Sequence, residues 1–182
     1  MPTTTVQYPT VGATTGSGVD WVNFGNAADA PDTVYATCAL VPFVTPDSDN
    51  LDLTAVPDCD VPSGTVTGLT VTVTAKGSIT TIVVATAQLL ESGVAVGSAV
   101  SFANWSITAT PATYANTASL FGLSTSALKT LVNSGNLGVR IIVSAGDDAC
   151  TVSVDSAGVT VNYNDPVTAT GMSSASRILL LD

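Results

Sequence analysis

The sequence predicts an all-β protein: a sandwich or barrel of about eight short strands joined by tight turns, with one short helix. Three observations predict it. Threonine (28 residues) and valine (25) dominate the composition, and both are β-branched, stiff at χ1 and suited to a pleated surface. Helix-building Glu, Lys and Arg are scarce. Strand-like runs recur at short intervals between Gly, Pro and Asn/Asp turn signals, which indicates a sandwich or barrel rather than a parallel sheet.

Residues 1–19 are rich in Thr and Gly with weak periodicity, and are expected to form a flexible N-terminal arm. The domain proper spans 20–165. Residues 35–40 make a first short strand. Pro42, Pro46, Pro57 and Pro62 break regular pairing across 42–64, with Leu51, Asp52 and Leu53 as a short strand inside that region. The clearest strand is Leu69-Thr70-Val71-Thr72-Val73-Thr74-Ala75, apolar at odd positions and Thr at even ones. One face buries Leu69, Val71 and Val73, while the Thr face is solvated or packed on a neighbour. Residues 80–90 are apolar enough on both faces to sit centrally. Ser92-Gly93 turns the chain into a return strand over 94–100. Residues 105–110 continue the β pattern until Pro111, and Tyr114 follows.

Residues 124–133 read as the helix. Ser124, Thr125 or Ser126 can cap it, Ala127, Leu128, Leu131 and Val132 form its apolar stripe, and Asn133-Ser134-Gly135 stops it. It is expected to lie across one end of the sandwich. Leu137, Val139, Ile141 and Val143 alternate again, Gly146-Asp147-Asp148 turns, and 151–154 and 159–163 read as two further strands. Asn164-Asp165-Pro166 ends the domain, leaving 166–182 as a C-terminal tail.

Composition also excludes functions. The chain carries four basic and fourteen acidic residues, a formal charge of −10, and no histidine. Partners held by phosphate neutralisation need several Lys or Arg on one face, so no nucleic-acid partner is expected. Without histidine there is no Ser-His-Asp or Cys-His arrangement. No residue pattern selects a carboxylate pair for glycoside hydrolysis. The chain is therefore expected not to be an enzyme and to use no cofactor. No apolar run approaches the length of a membrane span, so no membrane partner is expected. Residues 1–5 lack a basic and then apolar leader pattern, and folding is expected in the cytosol. Cys38, Cys59 and Cys150 show no metal-like spacing. They read as buried small apolar residues, with a Cys38–Cys59 bridge left open.

Several motifs carry a resemblance. Trp21-Val22-Asn23-Phe24-Gly25-Asn26-Ala27 is followed by Asp32 and Tyr35-Ala36-Thr37. Val61-Pro62-Ser63-Gly64-Thr65-Val66-Thr67-Gly68-Leu69 leads into the strongest strand. Leu120-Phe121-Gly122 precedes the helix, Leu137-Gly138-Val139-Arg140-Ile141 follows it, and Ala157-Gly158-Val159-Thr160-Val161-Asn162-Tyr163 closes the domain. This order resembles the jelly-roll-like β-sandwich of virion proteins of tailed bacteriophages, in capsid decoration (cement) proteins and tail appendages, over roughly residues 20–165. The resemblance implies an antiparallel sandwich with extended N- and C-terminal arms and no catalytic signature. It implies a place on the capsid surface, with the major capsid protein and copies of itself, as a homotrimer, for partners. The alternative is a tail or baseplate appendage that binds a host glycan or another tail protein.

Two candidate sites emerge. Asp47, Asp49 and Asp52, with Asn50 between them and Asp58 and Asp60 nearby, form an acidic stretch whose hard oxygens suit Ca²⁺. The EF-hand spacing and its glycine are missing, so a solvated loop is the expectation and no metal is assigned. Ile178, Leu179, Leu180 and Leu181 form an apolar run in the tail that needs covering. They either fold back as an edge strand on the chain's own sandwich or add as a strand to another subunit, and partner binding is the expectation. Trp21 is expected to cap one end of the core with its N–H on a carbonyl.

Overall fold

In a computed structural model of the chain, residues 2–42, 47–61, 64–102, 105–145 and 147–164 are described. Ten strands and one α-helix are found among them. The strands are β1 (Val11–Thr15), β2 (Ala36–Leu40), β3 (Asn50–Thr54), β4 (Thr65–Gly77), β5 (Thr81–Glu91), β6 (Val94–Ser101), β7 (Trp105–Ile107), β8 (Ala112–Ala115), β9 (Leu137–Ser144) and β10 (Cys150–Asn164); α1 is Thr125–Val132.

The pairings build two antiparallel sheets. The smaller runs β2-β10-β4-β8, and the larger runs β1-β3-β9-β5-β6, with β7 also on β5. Within this order β2 pairs β10, β3 pairs β9, β4 pairs β8, and β5 pairs β6 and β7. β2 joins the last strand and β3 the second-last, as in a long hairpin folded over and rolled, with β1 added beside β3. The fold is thus a jelly-roll β-sandwich.

The alternation read from sequence sets which faces meet. Leu69, Val71, Val73 and Ala75 of β4 are fully buried, as are Leu137, Val139, Ile141 and Val143 of β9. They form one core with Val83, Ala85, Ala87 and Leu89 of β5 and Val152, Val154, Val159 and Val161 of β10. The Thr face of β4 is half-buried on the outside. β5 is central, with neighbours on both sides. In α1, Ser124 accepts a hydrogen bond from Ala127 N, and Leu128, Leu131 and Val132 are buried. The helix packs against β4 at one end of the sandwich, where Lys129 Nζ donates to Gly64 O at 2.7 Å.

Three features differ from the sequence reading. The segment read as an arm runs along this molecule's own sandwich. Thr4 N and Gln7 N donate to Val161 O and Val159 O of β10, and β1 then pairs β3 in the other sheet. Residues 2–15 therefore strap both sheets along one flank, holding by main-chain hydrogen bonds that weak side-chain periodicity does not reveal. Gly158 makes room for the strap: a Cβ there would stand 2.5 Å from Val6 Cγ1 and 3.0 Å from Tyr8 Cε1. Residues 112–115 add β8. Finally, the strands expected at 151–154 and 159–163 are one strand, β10, continuous through a register shift between Val154 and Ser156. A bulge absorbs one extra residue without ending the pairing.

Candidate functional site

The acidic stretch is woven into the fold. Val19 N donates to Asp47 O, Asp49 N to Val19 O, and Ser48 N to Val143 O of β9. Trp21, 2% exposed, sends its indole N–H to Asp49 O at 2.8 Å, as expected from sequence. Each carboxylate then faces a different donor. Asp47 accepts from the Ser144 hydroxyl and Asp49 from Gly18 N and the Thr14 hydroxyl. Asp52 takes Arg140 Nε at 2.6 Å and Nη2 at 2.8 Å, together with the Thr15 hydroxyl at 2.8 Å. Among the described residues no group of three His, Cys, Asp or Glu is placed to hold a metal ion. Asp47, Asp49 and Asp52 are separate anchors that tie the strap and the acidic loop to β9.

The other polar groups are similarly occupied. The Arg140 guanidinium is held above its ordinary value mainly by its hydrogen bond to Asp52. Lys76 lies over the Tyr35 ring with Nζ 3.9 Å from the centroid. Asp155, 2% exposed, sits in the β10 bulge and accepts from Asp32 N and Thr33 N on one oxygen. Its charge and that of Asp32 add to partial burial in raising the Asp29 carboxyl. Cys38, Cys59 and Cys150 are free and buried. Burial pushes Cys38 up to about 12 and Cys59 up to about 11, and raises Cys150. Thiols so protonated are poor nucleophiles at neutral pH. Among the described residues no helix is long and apolar enough to cross a membrane.

The tail residues Ile178, Leu179, Leu180 and Leu181 lie outside the described residues. The last described residue, Asn164, ends β10 opposite Thr65.

A surface that the sequence reading did not single out is the flank opposite the strap. Between Glu91 and Lys129 the chain contains no charged residue. That uncharged stretch supplies β6, β7 and β8, the outer strands on this side of both sheets. The loop after β8 covers part of it: Ser98 N of β6 donates to Phe121 O at 2.7 Å. β8 keeps β4 on one side and no strand on the other among the described residues. Its Ala112, Thr113 and Ala115 are exposed. The gap in charge is visible in the sequence, but only the sheet order shows that it covers one side of the molecule.

No family model matches the chain, and no curated protein matches it in sequence. Two solved structures are similar over most of its length. One is the CBM36-1 domain of a multidomain xylanase from the hindgut metagenome of Trinervitermes trinervoides, at 12% identity and a TM-score of 0.37, covering 87% of this chain and 95% of that one. The other is the family 30 carbohydrate-binding module of the cellulosomal cellulase Cel9D-Cel44B of Clostridium thermocellum. It has 13% identity and a TM-score of 0.41, covering 91% and 100%. Likeness of this degree assigns no ligand to the chain.

Proposed function

We propose that this chain is a non-enzymatic structural protein of a tailed-phage virion: a decoration or cement protein that stabilises the head by binding the major capsid protein and copies of itself. The observation that carries the reading is how the molecule spends its polar groups. The buried carboxylates Asp49, Asp52 and Asp155 accept hydrogen bonds from the protein itself, and the three thiols are buried and protonated. On the flank opposite the strap, β6, β7 and β8 carry no charged side chain, and β8 has no strand beyond it among the described residues. Such a molecule works by contact. The motifs from Trp21 to Tyr163 that resemble phage virion sandwiches supply the context.

The mechanism is interface burial. A rigid sandwich sits against adjacent capsid subunits, and the C-terminal run Ile178–Leu181 adds to a neighbour. Apolar burial contributes about 25 cal/mol per Å² before the costs of association are deducted. The excess of carboxylates keeps free copies soluble until they dock.

Quantitative mass spectrometry of purified particles tests this reading, together with binding of the purified chain to undecorated capsids. Copies in the hundreds, in contact with the major capsid protein, are expected. Deleting residues 167–182 is expected to weaken capsid binding while circular dichroism and the melting temperature stay unchanged. Absence from particles overturns the reading. A few copies confined to the tail, with binding on a glycan array, establish the appendage alternative instead.

A further inference from the structure

We propose that two copies of this chain associate edge to edge through β8, which pairs antiparallel with its own mate across a two-fold axis and joins the two smaller sheets into one. This goes beyond the reading above and concerns the free protein.

The backbone comes first. Asn116 N donates to Val71 O at 3.2 Å, and Tyr114 is in register with Val73. Hydrogen bonding alternates along an antiparallel strand, so Ala112 and Tyr114 turn their main-chain groups toward β4. Thr113 and Ala115 turn theirs outward. With Thr113 facing Ala115 of the second copy, each N–H meets a C=O. The side chains do not obstruct this approach. Thr113 and Ala115 are small and lie on the outer face beside Thr74 and Thr72, while Tyr114 points inward against Trp105, with ring centroids 5.0 Å apart.

Among the described residues nothing guards the β8 edge. Soluble proteins blunt an exposed edge with Lys, Pro, a bulge or a covering segment. The strap covers the β10 side of the smaller sheet. No charged residue lies within the stretch that carries β8, and Pro111 stands just outside the strand.

Charge decides the occupant. Copies of formal charge −10 repel one another. The exposed carboxylates Asp20, Asp29, Asp32, Asp47, Asp58 and Asp60 precede β4 in the chain, Glu91 ends β5 opposite Val94 of β6, and Asp147 and Asp148 follow β9. β8 lies inside the stretch between Glu91 and Lys129 that carries no charge, so pairing β8 with β8 sets no carboxylate of one paired strand against the other. A basic partner would be drawn to the acidic side instead.

Sedimentation velocity on the full chain across the micromolar range tests the proposal at low and high salt. A dimer is expected that tightens as salt rises, because screening removes repulsion. Thr113→Pro deletes an outward N–H and leaves the ladder to β4 intact. Ala115→Lys sets like charges near the two-fold. Each is expected to weaken the dimer by roughly tenfold or more, with an unchanged circular dichroism spectrum. Val84→Lys, at a site 57% exposed on the larger sheet, is expected to leave it unaltered. If Thr113→Pro misfolds, Ala115→Lys carries the result. A monomer at every concentration, a dimer indifferent to both β8 variants, or a dimer loosened by salt overturns the proposal. So does a trimer, the assembly implied by the phage resemblance.

Discussion

Replacing Asp155 by alanine tests how a buried carboxylate holds the longest strand to the loop before β2. One carboxylate oxygen accepts from Asp32 N at 3.1 Å and Thr33 N at 3.0 Å, and the residue is 2% exposed. Thr33 has φ 72°, a left-handed conformation that a non-glycine residue holds only when its surroundings impose it. A hydrogen bond to a charged group contributes about 1.5–3 kcal/mol, so losing two costs about 3–6 kcal/mol gross. Alanine also removes a buried negative charge that raises the Asp29 carboxyl, which returns part of that cost. We expect a net loss of about 2–4 kcal/mol, a sizeable share of the 5–15 kcal/mol typical of a domain. For a chain of this length that lowers Tm by roughly 5–15 °C. Asp155→Asn keeps an acceptor oxygen in place and drops the charge, so it is expected to cost under about 1 kcal/mol. Thermal melts followed by circular dichroism near neutral pH decide the matter. If alanine melts with the wild type, or asparagine falls as far as alanine, then the two N–H contacts do not hold this loop.

Asp29→Asn is expected to stabilise modestly at neutral pH. The folded-state carboxyl is raised, first by burial and then by Asp32 and Asp155, so ionising it opposes folding. That opposition is absent below the unfolded value near 3.8 and grows as pH rises through the raised one. The gain should therefore vanish in strong acid, and a gain that persists there would refute the electrostatic cause. A disulfide-exchange reagent should label the native thiols very slowly and all three cysteines after denaturation, given Cys38 near 12 and Cys59 near 11; fewer than three labelled would reveal a bridge. Val71→Asp should unfold the protein near neutral pH. It removes a fully buried valine of β4, worth about 2 kcal/mol. It also raises the new carboxyl by up to 3–5 units, about 4–7 kcal/mol. An unchanged melt would reverse the assigned faces of β4.

Much of the fold was legible in local pattern. The period-two runs of β4 and β9 named their buried residues, because alternation is a property of a strand alone and the core takes the apolar side. The Ser124 cap and the stripe from Leu128 to Val132 placed α1 for the same local reason. Of the candidate site residues, Asp47, Asp49 and Asp52 were visible as an acidic stretch. Their division among Ser144, Gly18 and Arg140 depends on strands distant in the chain.

Taken alone, the sequence determined an all-β chain, the inward faces of its strongest strands, and the absence of histidine chemistry. Only the tertiary structure decided that residues 2–15 strap both sheets, that β10 runs unbroken past Asp155, and that the uncharged stretch lies on one flank. Those facts rest on main-chain hydrogen bonds between residues far apart in the chain. Every residue carries the same N–H and C=O, so composition and periodicity do not encode which edge meets which.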